Sequence, residues 1–284
     1  MIVLSIQPWV ARGLIDSGAT IACLNALGHE VWAVPTGVYS SPEGASAATG
    51  RALAADQVGE LLAGIIRGGH VADCAAVLSG NLGAAETGAF VLDVVERVKT
   101  ANPRALYVCD PEIGIGGRIY GQPGIQEFLR DRALGRADIV TPNAFELSLL
   151  AGVTPTSLSE AAAAAGELRA KLRPGGARMV LVAGLELAFL PQQTATLLVH
   201  EKGAAAVATP RLDLPLGAGD ALAALFLGRL LDGAAPEAAL SHAASAVHAL
   251  AERAAASGRA DLPLVGERAM LIAPPVLWPA EAVA

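Results

Sequence analysis

Lysine is scarce in this chain. There are three in 284 residues, Lys99, Lys171 and Lys202, and none follows a glycine, so the Gly-Lys pair of a Walker A phosphate loop is absent. Arginine brings the basic residues to 20 against 27 acidic, a net charge of −7. No basic cluster could follow a phosphate backbone, which argues against a nucleic-acid partner. Cysteine is as sparse: Cys23, Cys74 and Cys109 lie in apolar surroundings without CxxC spacing and read as small core residues of a reducing compartment. No apolar run reaches the ~20 residues that span a bilayer. The opening Met1–Gly13 lacks a basic leader and resembles a first core strand more than a signal peptide. The expectation is a soluble cytoplasmic protein with no membrane partner.

Enzyme signatures are missing as well. Gly114-Ile115-Gly116-Gly117 comes nearest to a dinucleotide fingerprint and fails, and there is no Gly-x-Ser-x-Gly elbow. His29, His70, His200, His242 and His248 show no tight metal spacing and read as surface or satisfied core residues.

What is present is an alternation of elements. Short apolar runs at Ile2–Ile6, Val31–Val34, Ala75–Ser79, Leu106–Cys109, Ile139–Thr141, Met179–Val182 and Thr196–Val199 have the composition of strands covered on both faces. Helical stretches separate them. In Glu86–Thr100 the set Val91, Val94, Val95, Val98 repeats at i, i+3, i+4, i+7. Ser159–Leu172 and Pro236–Ala256 are rich in alanine. This order predicts an α/β fold of three layers, with a mainly parallel central sheet. A chain of this length buries about three quarters of its unfolded surface, and one domain over 1–284 is expected, with an irregular Pro-rich tail from about 273. Ligands of such sheets bind beyond the carboxyl ends of the strands.

Three segments there carry chemistry. Leu216-Gly217-Ala218-Gly219-Asp220 precedes the apolar run Ala221–Leu231. Glycines opening a helix let backbone N–H groups approach an anion, and an acid there could take a proton from a hydroxyl. A tight turn with Asp220 as a mere N-cap fits equally. Cys109-Asp110-Pro111 follows a strand, where a carboxylate could hold Mg²⁺ or could simply start a turn. Thr141-Pro142-Asn143-Ala144-Phe145-Glu146 also follows a strand; Asn143 and Glu146 fit either a capping box or a metal or nucleotide role.

In this order the segments resemble the pyridoxal kinases of vitamin B6 salvage, within the ribokinase-like superfamily. The resemblance also takes in Ile6-Gln7 with Val10 and Gly13, Gly28–Thr36, Leu78–Gly83, and Val98-Lys99 with Asn102-Pro103. It implies a ribokinase-like fold, ATP and Mg²⁺ as cofactors, a homodimer, and phosphorylation of the 5′-hydroxymethyl group of pyridoxal. By the same resemblance Asp220 is the general base, and Gly217, Ala218 and Gly219 form the anion hole. Asp110 and Glu146 organise Mg²⁺ and the triphosphate. Thr141, Asn143 and the segment Thr209, Pro210, Arg211, Leu212 lie beside the nucleotide. Pro8, Thr36, Glu43 and Gly44 face the acceptor ring.

The chain departs from the family at several of these places. The family's ring-contacting serine is Pro8, a Gly-Asn pair is Asp16-Ser17, and the Asp-Pro-Val segment is Asp110-Pro111-Glu112. Ile115 and Ala183 replace a polar residue and a lysine, and Glu43-Gly44 replaces neutral polar residues. Phosphoryl transfer is thus the firmer part of the reading, and the acceptor pocket is rebuilt. A hydroxymethylpyrimidine kinase, or a weakly active paralogue that binds a vitamer or nucleotide, are the other readings.

Overall fold

A computed structural model describes residues 1–41, 48–186 and 192–283. Glu43 and Gly44 lie outside the described residues.

The strands are β1 (Ile2–Val10), β2 (Glu30–Tyr39), β3 (Gly50–Ala52), β4 (Cys74–Ser79), β5 (Leu106–Cys109), β6 (Gly114–Ile115), β7 (Arg118–Ile119), β8 (Ile139–Val140), β9 (Met179–Leu185), β10 (Gln193–His200), β11 (Gly203–Pro210) and β12 (Glu281–Ala282). The helices are α1 (Ser17–Ala26), α2 (Ala55–Arg67), α3 (Thr87–Ala101), α4 (Ile125–Phe128), α5 (Ala144–Ala151), α6 (Leu158–Ala170), α7 (Ala218–Leu231), α8 (Pro236–Ala256) and α9 (Arg268–Ile272). Ten strands form one sheet in the order β12-β11-β10-β9-β8-β5-β4-β1-β2-β3, and β6 pairs with β7 as a small separate hairpin. From β2 through β1, β4, β5 and β8 to β9 the pairing is parallel. The two margins, β10 to β12 and β3, are antiparallel.

Each central strand is buried on both faces, which is why it lacks alternation. Val3, Leu4 and Ile6 of β1 are all fully inaccessible, yet they divide between two apolar clusters. The valine stripe of α3 joins Leu4 and Ile6 on one face. Val3 packs with the alanine-rich α7 and α8 on the other. Alanine is what lets these two helices, whose inward faces are nearly continuous Ala and Leu, lie close to each other and to the sheet. No helix among the described residues is long and apolar enough to cross a membrane.

The strand and helix expectations agree with the structure apart from their ends. Val31–Val34 grows to ten residues as β2, and β3, β11, β12 and the β6–β7 hairpin were not anticipated. Alanine makes up half of β11, a composition that carries little strand signal. The Pro-rich end differs from an irregular tail in two ways. Trp278 N–H donates to Ser245 Oγ at 2.8 Å on α8, and β12 adds to the sheet beside β11.

A buried Lys99–Asp138 ion pair pins α3 to the turn before β8. The Lys99 ammonium also donates to the Ala105 carbonyl at 2.7 Å, and Asp138 accepts the Tyr107 N–H at 2.7 Å. With those bonds made, neither charge is left unsatisfied in the core.

Candidate active site

The loops after β1, β5 and β8 end on the same edge of the sheet, and there they meet the start of α7. Gly217 caps α7 at φ 85° in the left-handed region, and a Cβ there would lie 2.6 Å from the Leu14 carbonyl oxygen. Only glycine tolerates both conditions. Asp220 is therefore the third residue of the helix and not its N-cap. Gly219 is exposed, and a Cβ on it would meet no protein atom within 4 Å. The first turn of α7 thus opens to space at Gly219, while the Ala218 N–H donates to the Pro215 carbonyl at 3.2 Å; a helix N-terminus open in this way suits an anion.

Asp220 is half-buried. Its Oδ2 accepts the Asp16 N–H at 3.0 Å. Asp16 supplies that N–H from a backbone with φ 48°, ψ −127°, a conformation ordinarily left to glycine. Glu112, at φ 43°, comes from the turn after β5, and one carboxylate oxygen from each of Asp16, Glu112 and Asp220 lies within 4.8 Å of the other two. Burial raises the pKa of Asp220, opposed by the Asp16 N–H and by a bond with Glu112. Glu112 is raised well above the ordinary range by burial and by the charges of Asp16, Asp220 and Asp110.

Asp110 sits just past the end of β5, held by its own N–H to the Ser79 carbonyl at 2.8 Å. Its carboxylate is 6 % exposed and raised well above the usual range, first by burial, then by Glu146 and Asp220. Thr141 places its hydroxyl beside Asp110, where it offsets part of that rise. A buried carboxylate among other acids, with no basic side chain paired to it among the described residues, is the donor chemistry of a hard cation such as Mg²⁺.

Glu146 does something different. Its Oε1 accepts the N–H groups of Ile113 at 2.8 Å and Gly114 at 3.3 Å, and its Oε2 that of Asn143 at 3.0 Å. Asn143 Oδ1 in return accepts from Phe145 and Glu146, and its amide donates to the Gly114 carbonyl at 2.8 Å. The capping box read from the sequence is present, and it straps α5 to the 110–114 turn. Glu146 braces the segment that carries Asp110 and Glu112. Burial lifts its pKa to about 7 in spite of those three N–H groups.

The expected nucleotide segment lines a recess beside the start of α7. Thr209, Pro210 and Leu212 line it together with Ala183, Thr194, Thr196 and His248, Thr194 being the cross-strand partner of Thr209. Arg211 turns away and pairs with Glu186 at 2.7 Å on the surface. His248 is buried there with its ring edge against Trp278; its sequence position on a long alanine helix held no sign of this.

On the acceptor side Pro8 is buried at an irregularity between Gln7 and Trp9, where the pairing of β1 with β2 skips a residue. A proline costs no ladder bond at such a point. Thr36 is fully buried and donates its hydroxyl to the Asn81 carbonyl at 2.6 Å, so it braces the 81–83 loop and offers no hydroxyl to a ligand. Beyond that loop opens a cavity of about 570 Å³ between Tyr39, Arg51, Glu86, Tyr120 and Gln122. Its size suits a small heterocycle.

Asp16 and Glu112 stood out in the sequence only as departures from a family pattern. Their convergence on Asp220 joins positions 16, 112 and 220, and no local spacing encodes it.

The family described as phosphomethylpyrimidine kinase matches residues 51–265. A pyridoxal kinase of Rubrobacter xylanophilus is 44 % identical over 99 % of this chain and 97 % of its own length. One from Granulibacter bethesdensis is 41 % identical over 96 % and 97 %. Among solved structures, the pyridoxal kinase of Leishmania donovani in complex with ADP and pyridoxine superposes with a TM-score of 0.91 over 100 % of this chain and 99 % of that one, at 23 % identity. At that identity the likeness is one of fold.

Proposed function

The chain belongs to the phosphomethylpyrimidine kinase family, and from that premise we propose that it transfers the γ-phosphate of ATP to the 5′-hydroxymethyl group of pyridoxal. One observation carries the reaction: a half-buried carboxylate, Asp220, stands in the first turn of α7 directly after Gly219, where a Cβ would meet no protein atom within 4 Å. Asp220 accepts the hydroxyl proton as the acceptor oxygen bonds to the γ-phosphorus, and the bond from that phosphorus to the β–γ bridging oxygen breaks to leave ADP. The N–H groups at Gly217, Ala218 and Gly219 hold the phosphoryl oxygens as charge shifts.

Mg²⁺, when bound, neutralises triphosphate charge; Asp110 would hold it, while Glu146 keeps the Asp110 turn in place. Thr141 and Asn143 border the same region. Thr209, Pro210 and Leu212 would seat the base of the nucleotide, with the backbone of Arg211 continuing that wall. Pro8, Thr36, Glu43 and Gly44 belong to the acceptor side, where Pro8 and Thr36 contribute shape and no hydrogen bond. The cytoplasmic, homodimeric enzyme implied by the resemblance completes the proposal.

A hydroxymethylpyrimidine kinase is the second reading, favoured by the description of the family itself. The relatives at 41–44 % identity, all pyridoxal kinases, favour the first. A binder without turnover has less support, because the base and its glycines are in place. Incubating the protein with Mg-ATP and pyridoxal, pyridoxine, pyridoxamine or hydroxymethylpyrimidine, and following ADP, tests all three. Pyridoxal should give the highest kcat/KM. ADP release with hydroxymethylpyrimidine alone would move the assignment to the second reading, and none with any acceptor would remove the enzyme.

A further inference from the structure

We propose that Arg51 and Glu86 select the acceptor by its charges: Arg51 binds an oxyanion carried on the ring and Glu86 a protonated ring nitrogen, so that the site takes a zwitterionic 3-hydroxypyridine in preference to a neutral pyrimidine. The inference rests on the kinase reading for the identity of the acceptor and adds the means of recognition.

Two residues expected to face the ring leave its polar edge without partners. Pro8 has no N–H, and Thr36 gives its hydroxyl to the Asn81 carbonyl at 2.6 Å. Polar recognition then falls to the lining of the cavity of about 570 Å³ beyond the 81–83 loop. Among the described residues that line it, Arg51 and Glu86 are the charged ones. Arg51 stands on β3, paired with Val38 of β2, and Glu86 is the residue before α3. Both side chains are exposed, and among the described residues neither forms an ion pair or hydrogen bond, with the other or with any third group. A lone exposed arginine is ordinary surface. An arginine and a glutamate that share one cavity without neutralising each other suit a ligand that carries both signs.

The cavity adjoins the reacting end of the site. Its lining includes Asn81, and Gly80 just before it packs so closely that a Cβ there would collide with Glu112 Oε1. The lining also includes Tyr120, whose N–H donates to the carbonyl of Ile113, the neighbour of Glu112, at 3.1 Å. Glu112 in turn has a carboxylate oxygen within 4.8 Å of one from Asp220. The loop between is held in place: Asn81 Oδ1 accepts the Gly83 N–H at 2.9 Å, and Gly83 lies against Ala52, the residue after Arg51. At neutral pH the pyridoxal ring carries an ionised 3-hydroxyl and a protonated nitrogen, whereas hydroxymethylpyrimidine has no ring hydroxyl to ionise. The guanidinium of Arg51 gives that oxyanion charge-assisted hydrogen bonds, and the Glu86 carboxylate accepts the ring N–H.

Pyridoxine and 3-deoxypyridoxine differ only in the ring hydroxyl, and equilibrium binding of each to the full-length protein with Mg-ADP separates recognition from turnover. The wild type should bind pyridoxine at least ~10-fold more tightly, the gain of one charge-assisted contact, and the bound pyridoxine should absorb as the zwitterion. Arg51→Gln should abolish that preference by weakening pyridoxine alone, and Arg51→Lys, which keeps the charge, should restore part of it. Glu86→Gln should weaken pyridoxine and lower the zwitterion absorption. Both side chains are exposed, so the melting temperature should not move. Equal affinities in the wild type, or an undiminished preference in Arg51→Gln, overturns the proposal. ADP release from Mg-ATP on the same preparations keeps the two readings apart. Turnover of both acceptors with equal kcat/KM removes only the recognition, selective binding without ADP release removes only the kinase, and neither binding nor turnover removes both.

Discussion

Asp220 and Gly219 occupy adjacent positions yet answer to different demands. Asp220→Asn keeps the size of the side chain and its contact with the Asp16 N–H but removes proton acceptance. It should lower kcat by ~10²–10⁴ with little change in ATP affinity, and near-wild-type turnover would take Asp220 out of the mechanism. Gly219→Ala should leave the fold intact, because its Cβ meets no protein atom within 4 Å. The same Cβ enters the space assigned to the phosphoryl group. The expected result is an unchanged melting temperature with kcat at least ~10-fold lower; full activity would place the phosphoryl elsewhere. Gly217 differs, since its φ of 85° and the 2.6 Å that would separate an added Cβ from the Leu14 carbonyl oxygen make it a requirement of the fold. The sequence singled out all of these residues, and it could not say which glycine served backbone and which served ligand.

At the scale of elements, the capping box of α5 couples a helix to the Asp110 turn. Asn143 accepts two N–H groups of its own helix and donates to Gly114, so Asn143→Ala removes a cap and a tether together. Stability should fall by about 1–2 kcal/mol, read as a lower urea midpoint, and the apparent KM for Mg-ATP should rise because Asp110 is less firmly held. A stability loss with KM unmoved would confine Asn143 to its helix. The spacing Asn143-x-x-Glu146 made the cap legible. That Glu146 also reaches Ile113 and Gly114 was not legible, since residues some 32 positions apart meet only once β5 and β8 lie side by side.

For the molecule as a whole, the gathered acids set a pH dependence. Asp110, Glu112, Asp220 and Glu146 all have folded-state pKa values above their ordinary ones, so between the ordinary carboxylate range and the raised values the folded state holds more protons than the unfolded. Stability is then greatest at low pH within this window and is lost as pH rises, for Glu146 from about 4.5 through about 7. Metal-free protein should be measurably less resistant to urea at pH 8 than at pH 5.5, and Mg²⁺ should recover part of the difference by compensating the ionised acids. A flat or rising profile in metal-free protein would mean that the acids are solvated.

By itself the sequence determined the layered architecture and singled out the glycine-flanked acid at the start of α7. Strands buried on two faces must be apolar throughout, the helices that cover them must carry an apolar stripe, and a glycine-flanked acid before an apolar helix is a local signal. Tertiary structure alone decided that Asp16 and Glu112 face Asp220, that Thr36 spends its hydroxyl on Asn81, and that His248 lines the recess beside the start of α7. Those meetings depend on strand order, which places β1 beside β4 and brings the loops after β1 and β5 to the start of α7. Strand order follows from how the whole set of apolar faces is buried at once, a property that no single stretch of chain contains.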